Sequence, residues 1–296
     1  MLTKDGHGLG WVPDIPDIRD FFPGQKIFNT ESKETQDFFE KKNLLRDADI
    51  STSVIIPDND FSSIEDQGSL GSCTANAAIG LIEYYQKKTK GKYIDMSRLF
   101  LYKATRNLMG VSGDTGAYLR STMGAMRLFG SPPENFSPYK IEDFDKEPSA
   151  FLYSFAKEFQ SVRYFRLDPL GTSLENVVKR IKSFLNRKMP AMFGFTVYSS
   201  ISQSSGSGEI PFPCSGDKMN GGHAVVATGF DDNKEIVNHD CSHVTRGAFR
   251  IRNSWGTDWG DNGYGWLPYD YVLKGLARDW WSLIRNEWID TDIFEA

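Results

Sequence analysis

Four side chains in this sequence have the types and the order that thiol-based hydrolysis requires. Cys73 supplies a sulfur nucleophile, and His223 supplies an imidazole that can take its proton. Asn253 offers an amide that can fix which way the imidazole points. Gln67 offers an N–H donor for a negatively charged oxygen. Together these residues predict a cysteine hydrolase that acts on peptide bonds.

The predicted helix after Cys73 favours ionisation of its thiol. Apolar residues follow with helical spacing at Ala78, Leu81, Ile82 and Tyr85. The N-terminus of a helix carries partial positive charge and unpaired N–H groups, and both stabilise a thiolate. Gly71 permits a tight turn directly before Cys73 and leaves room for a ligand.

His223 and Asn253 stand at the ends of predicted strands. His223 opens the continuous apolar run 224–230, which is typical of a buried strand. Asn253 follows residues 247–252, where apolar and charged side chains alternate. A side chain at the end of a strand is held by the sheet and still faces an opening, so both residues are placed to serve a site.

Helical patterns come first along the chain and strand patterns come later. Further helices are predicted around Leu119, Met123 and Met126, and after the capping pattern Thr172-Ser173-Leu174-Glu175. Strands are predicted at 192–197, 224–230, 247–252 and 280–289. This order predicts an α+β protein with a helical lobe and a sheet lobe.

The composition narrows the class of protein. Of its 296 residues, 40% are hydrophobic and 25% are charged, which is ordinary for a globular protein. The net charge of −5 argues against a nucleic-acid partner. No apolar stretch reaches the ~20 residues of a membrane-spanning helix, and the first residues lack the apolar core of a signal peptide. Among three cysteines at least one thiol is free, and Cys214 and Cys241 either pair or remain two thiols.

Three segments resemble the active-site segments of the papain-like (C1) cysteine peptidases. They are Gln67-Gly68-Ser69-Leu70-Gly71-Ser72-Cys73, Gly222-His223-Ala224 and the long run from Asn253-Ser254-Trp255-Gly256 to Gly263-Tyr264. The order of Cys, His and Asn also agrees with that family. Residues 11–20, with Trp11-Val12-Pro13-Asp14, look like the mature N-terminus of bacterial members.

The resemblance implies a mechanism and a fold. Cys73 would be the nucleophile, His223 the base and acid, and Asn253 the residue that orients the imidazole. Gln67 and the Cys73 backbone N–H would form the oxyanion hole, and Trp255 would shield the Asn–His hydrogen bond. The fold would be a helical lobe and an antiparallel, β-barrel-like lobe with the cleft between them. The family needs no cofactor, and its members are mostly exported or lysosomal, which favours secretion.

The sequence departs from the family pattern close to the nucleophile and in the substrate cleft. Leu70 replaces a usual cysteine, and Thr74 replaces a usual aromatic residue. Gly113-Asp114-Thr115-Gly116-Ala117 resembles a glycine strip that binds substrate backbone, although Ala117 replaces its second glycine, so only Gly116 is carried over. Gly222 leaves the neighbouring wall small and uncharged, which predicts an apolar side-chain preference there.

The sequence divides into residues 1–60, an extended segment with a helical insertion, and a peptidase domain at 61–296. The helical lobe would cover about 61–160 and the β-rich lobe about 161–296. Residues 24–60, with Phe38, Phe39, Leu44 and Leu45, either pack on one lobe or inhibit the enzyme by covering its cleft. We expect a monomer that binds peptide or protein substrates.

Three alternative interpretations remain open at this point. The protein could bind peptides without cleaving them, or it could transfer the acyl group to an amine instead of water. His239, Cys241 and His243 would share one face of an extended chain and could then bind a soft metal. We expect these three side chains to be solvated polar residues instead.

Overall fold

The computed structural model describes residues 1–25, 30–41, 50–159 and 163–284. Its helices are α1 (Thr30–Lys41), α2 (Cys73–Lys90), α3 (Arg98–Met109), α4 (Leu119–Phe129), α5 (Ala150–Ala156), α6 (Leu174–Asn186) and α7 (Tyr269–Leu273). Its strands are β1 (Ser53–Ile55), β2 (Arg163–Arg166), β3 (Ala191–Tyr198), β4 (Met219–Asn238), β5 (His243–Arg252), β6 (Tyr264–Pro268) and β7 (Ala277–Ile284). The predicted α+β class, with most helices before most strands, is confirmed.

Helix α2 is the central element of the helical lobe. It contacts α3, α4 and strand β4, and all of its residues from 73 to 86 are buried. Gly80 lies so close to the sheet that a Cβ there would stand 2.3 Å from Nη1 of Arg252. The helix is therefore enclosed on both sides, and its first residue, Cys73, is held at the boundary between helices and sheet. None of the described helices is long and apolar enough to cross a bilayer.

The strands form one antiparallel sheet in the order β2-β7-β3-β4-β5-β6, and β1 pairs with β4 outside that path. In the described ranges β2 and β6 are opposite ends of this order, so the sheet is open where a barrel-like lobe was expected. Stacked aromatic rings fill its core, with the ring centroids of Phe193 and Trp280 only 3.8 Å apart. The register pairs His223 with Phe195, and Asn253 follows directly after the neighbouring strand β5.

The described part of residues 24–60 packs mainly on the sheet lobe, and Asp60 also forms an ion pair with Lys88 of α2. Phe39 of α1 is fully buried and makes edge contacts with Phe165 of β2 and Phe184 of α6. Strand β1 pairs with residues 229–231 of β4, several residues beyond His223. Leu44 and Leu45 lie outside the described residues. Phe39 and strand β1 thus have contacts in the sheet lobe.

Cys214 and Cys241 form a disulfide, and Cys73 is a free, buried thiol. The bond ties the loop before β4 to the turn between β4 and β5. That turn bends the chain at residues 239–242, with Ser242 at φ 56°, so the extended arrangement of His239, Cys241 and His243 does not occur. Cys241 has no thiolate to offer a metal, and the described residues hold no metal-binding cluster of His, Cys, Asp and Glu.

Removing the disulfide should destabilise the fold measurably. The bond closes a loop between residues 27 positions apart, and closing a loop of that size stabilises a protein by about 3 kcal/mol. We expect the Cys214→Ser/Cys241→Ser protein to lose about that free energy of unfolding in urea titrations. Wild-type protein unfolded in urea with a reductant, which breaks the same bond, should show the same free energy of unfolding as the double variant. A loss below about 1 kcal/mol would show that the bond constrains little of the unfolded chain.

Candidate active site

Cys73 lies at the first position of α2 with its side chain fully buried. Burial raises the pKa of its thiol to about 11, because a thiolate loses the stabilisation of water there. The backbone N–H groups of Ala224 and Gly10 face the sulfur and partly oppose that rise. Ala224 follows His223 directly, so the fold brings the predicted nucleophile and base to the same place.

His223 is bound to Asn253 and covered by aromatic rings. Its Nε2 lies 2.7 Å from Oδ1 of Asn253. Because an amide oxygen only accepts, Nε2 carries the proton, and the buried Nδ1 has no hydrogen-bond partner in the described structure. Trp255 stacks on the imidazole with ring centroids 4.4 Å apart, and Phe195 approaches it edge-on. Burial lowers the pKa of His223 to about 4, and the Asn253 hydrogen bond opposes this shift.

Gln67 is held in place by the residue that follows Asn253. Its side-chain Oε1 accepts a hydrogen bond of 2.6 Å from the Ser254 hydroxyl, and its backbone N–H donates to the Ser254 carbonyl. Its Nε2 donates to the carbonyl of Leu70 at 2.7 Å and to that of Gly8 at 3.1 Å. Ser254 was missed as a positioning residue, although it lies inside the Asn253-Ser254-Trp255-Gly256 motif.

The cleft beside these residues is filled by residues 1–13, here called the leading segment. The Gly8 carbonyl accepts a hydrogen bond from the side-chain amide of Gln67, and the Gly8 N–H donates one to the carbonyl of Gly68. A Cβ on Gly10 would stand 1.7 Å from the carbonyl oxygen of Gly71, so only glycine fits at that position. The Gly10 N–H faces the Cys73 sulfur. The leading segment therefore passes directly over the predicted catalytic residues.

All three predicted substrate-binding residues contact this segment. The Gly222 carbonyl accepts from the Trp11 N–H at 3.0 Å, and Trp255 stacks on His7 with ring centroids 4.9 Å apart. Gly116 has φ +73°, and a Cβ there would stand 2.3 Å from the Gly10 carbonyl oxygen.

Ala117, which the family resemblance left out, makes the backbone hydrogen bonds of the expected glycine strip. Its N–H donates to the Gly10 carbonyl at 2.8 Å, and its carbonyl accepts from Val12 at 3.1 Å. Backbone pairing needs no particular side chain, so the change from glycine to alanine did not remove it.

Two arginines anchor the chain just after the leading segment. Arg120 of α4 forms ion pairs with Asp14 and Asp20. Arg166 of β2 pairs with Asp20, Asp168 and Asp279, and it is almost fully buried. These ion pairs give Asp14 and Asp20 a structural role. They bind the chain to both the helical lobe and the sheet lobe, and so hold the leading segment across the cleft.

Alkylation of Cys73 should show the effect of its burial. With its pKa raised to about 11, the thiol in wild type should react with iodoacetamide at a rate that climbs about tenfold per pH unit through neutral and mildly alkaline pH. Rates from mass spectrometry between about pH 7 and 10 would test this, with a small free thiol as the reference compound. A rate that is flat above about pH 8 would contradict it.

The overall fold matches that of solved cysteine proteases. Xylellain, a cysteine protease from Xylella fastidiosa, superposes with a TM-score of 0.74 at 30% identity, covering 95% of this chain and 97% of that one. Procathepsin B S9 from Trypanosoma congolense gives a TM-score of 0.62 at 15% identity, covering 95% of this chain and 87% of that one, and shows the fold alone. The two-lobed α+β fold is thus papain-like.

Sequence comparisons point to the same family. A peptidase C1-like protein of Acanthamoeba polyphaga mimivirus is 35% identical over 224 residues, which cover 74% of this chain and 68% of the viral one. Cathepsin K of Gallus gallus is 28% identical over 203 residues, which cover 68% of this chain and about half of that one, 53%. The bacterial source suggested by residues 11–20 stays a prediction. Because the profile of the papain family cysteine proteases matches residues 51–276, the chain belongs to the papain family of cysteine proteases and is a hydrolase.

Proposed function

We propose that this protease cleaves peptide bonds with Cys73, His223, Asn253 and Gln67. The observation that carries the proposal is the 2.7 Å hydrogen bond between Nε2 of His223 and Oδ1 of Asn253. It fixes the tautomer and leaves Nδ1 as the nitrogen that can exchange a proton with the thiol. Trp255 covers this bond and keeps water from competing for it.

The proposed reaction proceeds through a thioester. Cys73 transfers its proton to His223 and attacks the substrate carbonyl, and the amide of Gln67 together with the Cys73 backbone N–H stabilises the oxyanion. His223 then protonates the departing amine. Water, activated by the same imidazole, releases the acid and restores the thiol. The reaction needs Cys73 in its reduced form.

We also propose that the leading segment inhibits the enzyme in the described state. The backbone N–H of Gly10 faces the Cys73 sulfur, so the bound segment occupies the position that a substrate would need. Desolvation by the same segment keeps the thiol and the imidazole neutral at pH 7, because the pKa of Cys73 is raised and that of His223 is lowered. In this proposal the covering role that was one of two alternatives for residues 24–60 belongs instead to residues 1–13.

Labelling with a peptidyl epoxide tests the proposed site. In the full chain carrying Trp11→Ala, which weakens the hold of the leading segment, we expect stoichiometric modification at Cys73 by mass mapping. Adding His223→Ala should slow the labelling at least about a hundredfold, because the thiol loses its base. The matched control is His239→Ala, which removes an exposed imidazole in the β4–β5 turn. Labelling that proceeds equally without His223 would favour the non-catalytic alternative.

A further inference from the structure

The turn that leads into Cys73 is held by a carboxylate from another part of the helical lobe. The backbone N–H of Gly71, two residues before Cys73, donates to Oδ1 and Oδ2 of Asp114 at 3.0 Å and 3.1 Å. A Cβ on Gly71 would stand 2.9 Å from Oδ1, and Gly71 has no positive φ, so this glycine gives the carboxylate room to approach the backbone. The same turn carries both proposed oxyanion donors, because the Leu70 carbonyl binds the amide of Gln67 and Cys73 follows shortly after.

A second hydrogen bond ties Asp114 to the loop in which it lies, residues 113–117, here called the strip. The hydroxyl of Tyr102 in α3 donates to Oδ1 of Asp114 at 2.6 Å and accepts from the backbone N–H of Gly116 at 3.1 Å. Burial and the neighbouring carboxylate raise the pKa of the Tyr102 hydroxyl, so it keeps its proton and remains a donor. The Asp114 carboxylate therefore receives an N–H from the turn before Cys73 and an O–H that is itself bonded to Gly116.

The strip is anchored by side chains of α3. Arg106 donates to the Gly113 carbonyl at 2.6 Å and forms an ion pair with Asp145, whose Oδ2 accepts from the Gly113 N–H at 3.1 Å. The Arg106 guanidinium also lies over the Tyr102 ring, 4.3 Å from its centroid. Asp114 thus projects from a strip that is fixed to α3, and its carboxylate fixes the turn before the nucleophile relative to that strip.

The strip is also the place where the chain in the cleft is bound. Ala117, which follows Gly116, pairs its N–H and its carbonyl with the backbone of the leading segment. One end of the network therefore locates a peptide in the cleft, and the other end locates the sulfur that would attack it. The three cysteines of the sequence comprise the Cys214–Cys241 disulfide and Cys73, so no cysteine pair can join turn and strip. Hydrogen bonds to the Asp114 carboxylate make this connection instead, and their charge strengthens them.

On the basis of the proposed peptidase function, we propose that Asp114 is a positioning residue: by binding Gly71 and Tyr102 together, it holds the Cys73 sulfur and the oxyanion donors in register with a peptide bound along the strip. A displacement of about 1 Å between reacting groups can cost about a hundredfold in rate. Loss of the connection should therefore slow the chemical step, while the peptide keeps its backbone pairing with Ala117.

The role of Asp114 is tested in the full chain carrying Trp11→Ala, here called the parent. In the parent, Asp114→Ala should lower kcat on a fluorogenic peptide about tenfold or more and leave KM within about twofold. Asp114→Asn keeps an amide oxygen that can accept from Gly71 and Tyr102, and it should recover most of the lost rate. The matched control is Glu142→Ala, which removes an exposed carboxylate from the same lobe and should behave like the parent.

Two labels for Cys73 distinguish positioning from a general loosening of the fold. A peptidyl epoxide must lie along the strip to reach the sulfur, whereas iodoacetamide need not. We expect Asp114→Ala to slow the epoxide about tenfold or more, to leave the iodoacetamide rate within about threefold, and to be rescued for the epoxide by Asp114→Asn. Equal slowing of both labels, or an Asp114→Asn protein that behaves like Asp114→Ala, would overturn the proposal.

Failure of the peptidase function itself would give a different result. Hydrolysis that requires His223 but is unchanged by Asp114→Ala would refute the positioning role and leave the peptidase function standing. Selective slowing of the epoxide by Asp114→Ala, in a parent that hydrolyses no peptide, would refute the peptidase function. It would still support the positioning of Cys73 against a bound peptide.

Discussion

Replacing Trp11 with alanine in the full chain should raise peptide hydrolysis by about two to three orders of magnitude. Truncating a buried tryptophan to alanine typically costs about 3–5 kcal/mol, and each 1.4 kcal/mol changes an equilibrium about tenfold. The indole is buried between Gly194 and Gly222 and bound to Asp279, so its loss should shift the leading segment from bound to released. The measurement is the initial rate on a fluorogenic peptide mixture, beside the wild type.

Ile15→Ala is the matched control for this prediction. It shortens an apolar side chain in the same stretch of the chain, but Ile15 is 82% exposed and fills no pocket. We expect its rate to stay within about twofold of wild type. If Trp11→Ala and Ile15→Ala behaved alike, with both proteins folded by circular dichroism, the leading segment would not be the element that limits access to Cys73.

In the Trp11→Ala background, replacing Cys73 with alanine should remove peptide hydrolysis. Loss of the nucleophile from a catalytic triad lowers rates by about 10³–10⁶-fold. The sulfur is the only thiol outside the disulfide, so no second cysteine can replace it. His223→Ala should give a loss of similar size, because thiol and imidazole act as one unit and their losses do not add.

The controls separate chemistry from folding. His239→Ala removes an imidazole from an exposed turn and should keep its rate within about twofold of the parent. Asn253→Ala should lose less than His223→Ala, since it misorients the imidazole without removing it. Hydrolysis that survives in the Cys73→Ala protein at the parent rate would show that another group attacks the substrate, and the proposed mechanism would be wrong.

Local patterns in the sequence predicted the helices and strands, whose formation depends on residues close to one another along the chain. The helical spacing after Cys73 predicted α2, which begins at that residue. The apolar run after His223 and the alternation before Asn253 predicted β4 and β5. Helix and strand formation follow side-chain periodicity over a few residues, so these elements could be predicted directly. The predicted position of His223 at the start of its strand was wrong, because β4 begins earlier, at Met219.

Other features depended on pairing between distant parts of the chain. The sequence left open whether Cys214 and Cys241 pair, because a bond needs their Cα atoms to come close, here 6.2 Å, and spacing along the chain cannot show that. Strand order likewise decided that the sheet stays open across the described ranges. The division into 1–60 and 61–296 and the monomeric state remain predictions.

The sequence by itself determined the family of this protein, because a thiol, an imidazole and two amides stand in an order and context typical of the papain family; the chemistry of these four groups stays a prediction. Only the tertiary structure decided that residues 1–13 lie across these groups and that Asp279 binds the indole of Trp11. The physical reason is that a motif records which side chains a reaction needs. Long-range packing, ion pairs and backbone pairing decide which distant segment fills the cleft. No local sequence pattern encodes these contacts.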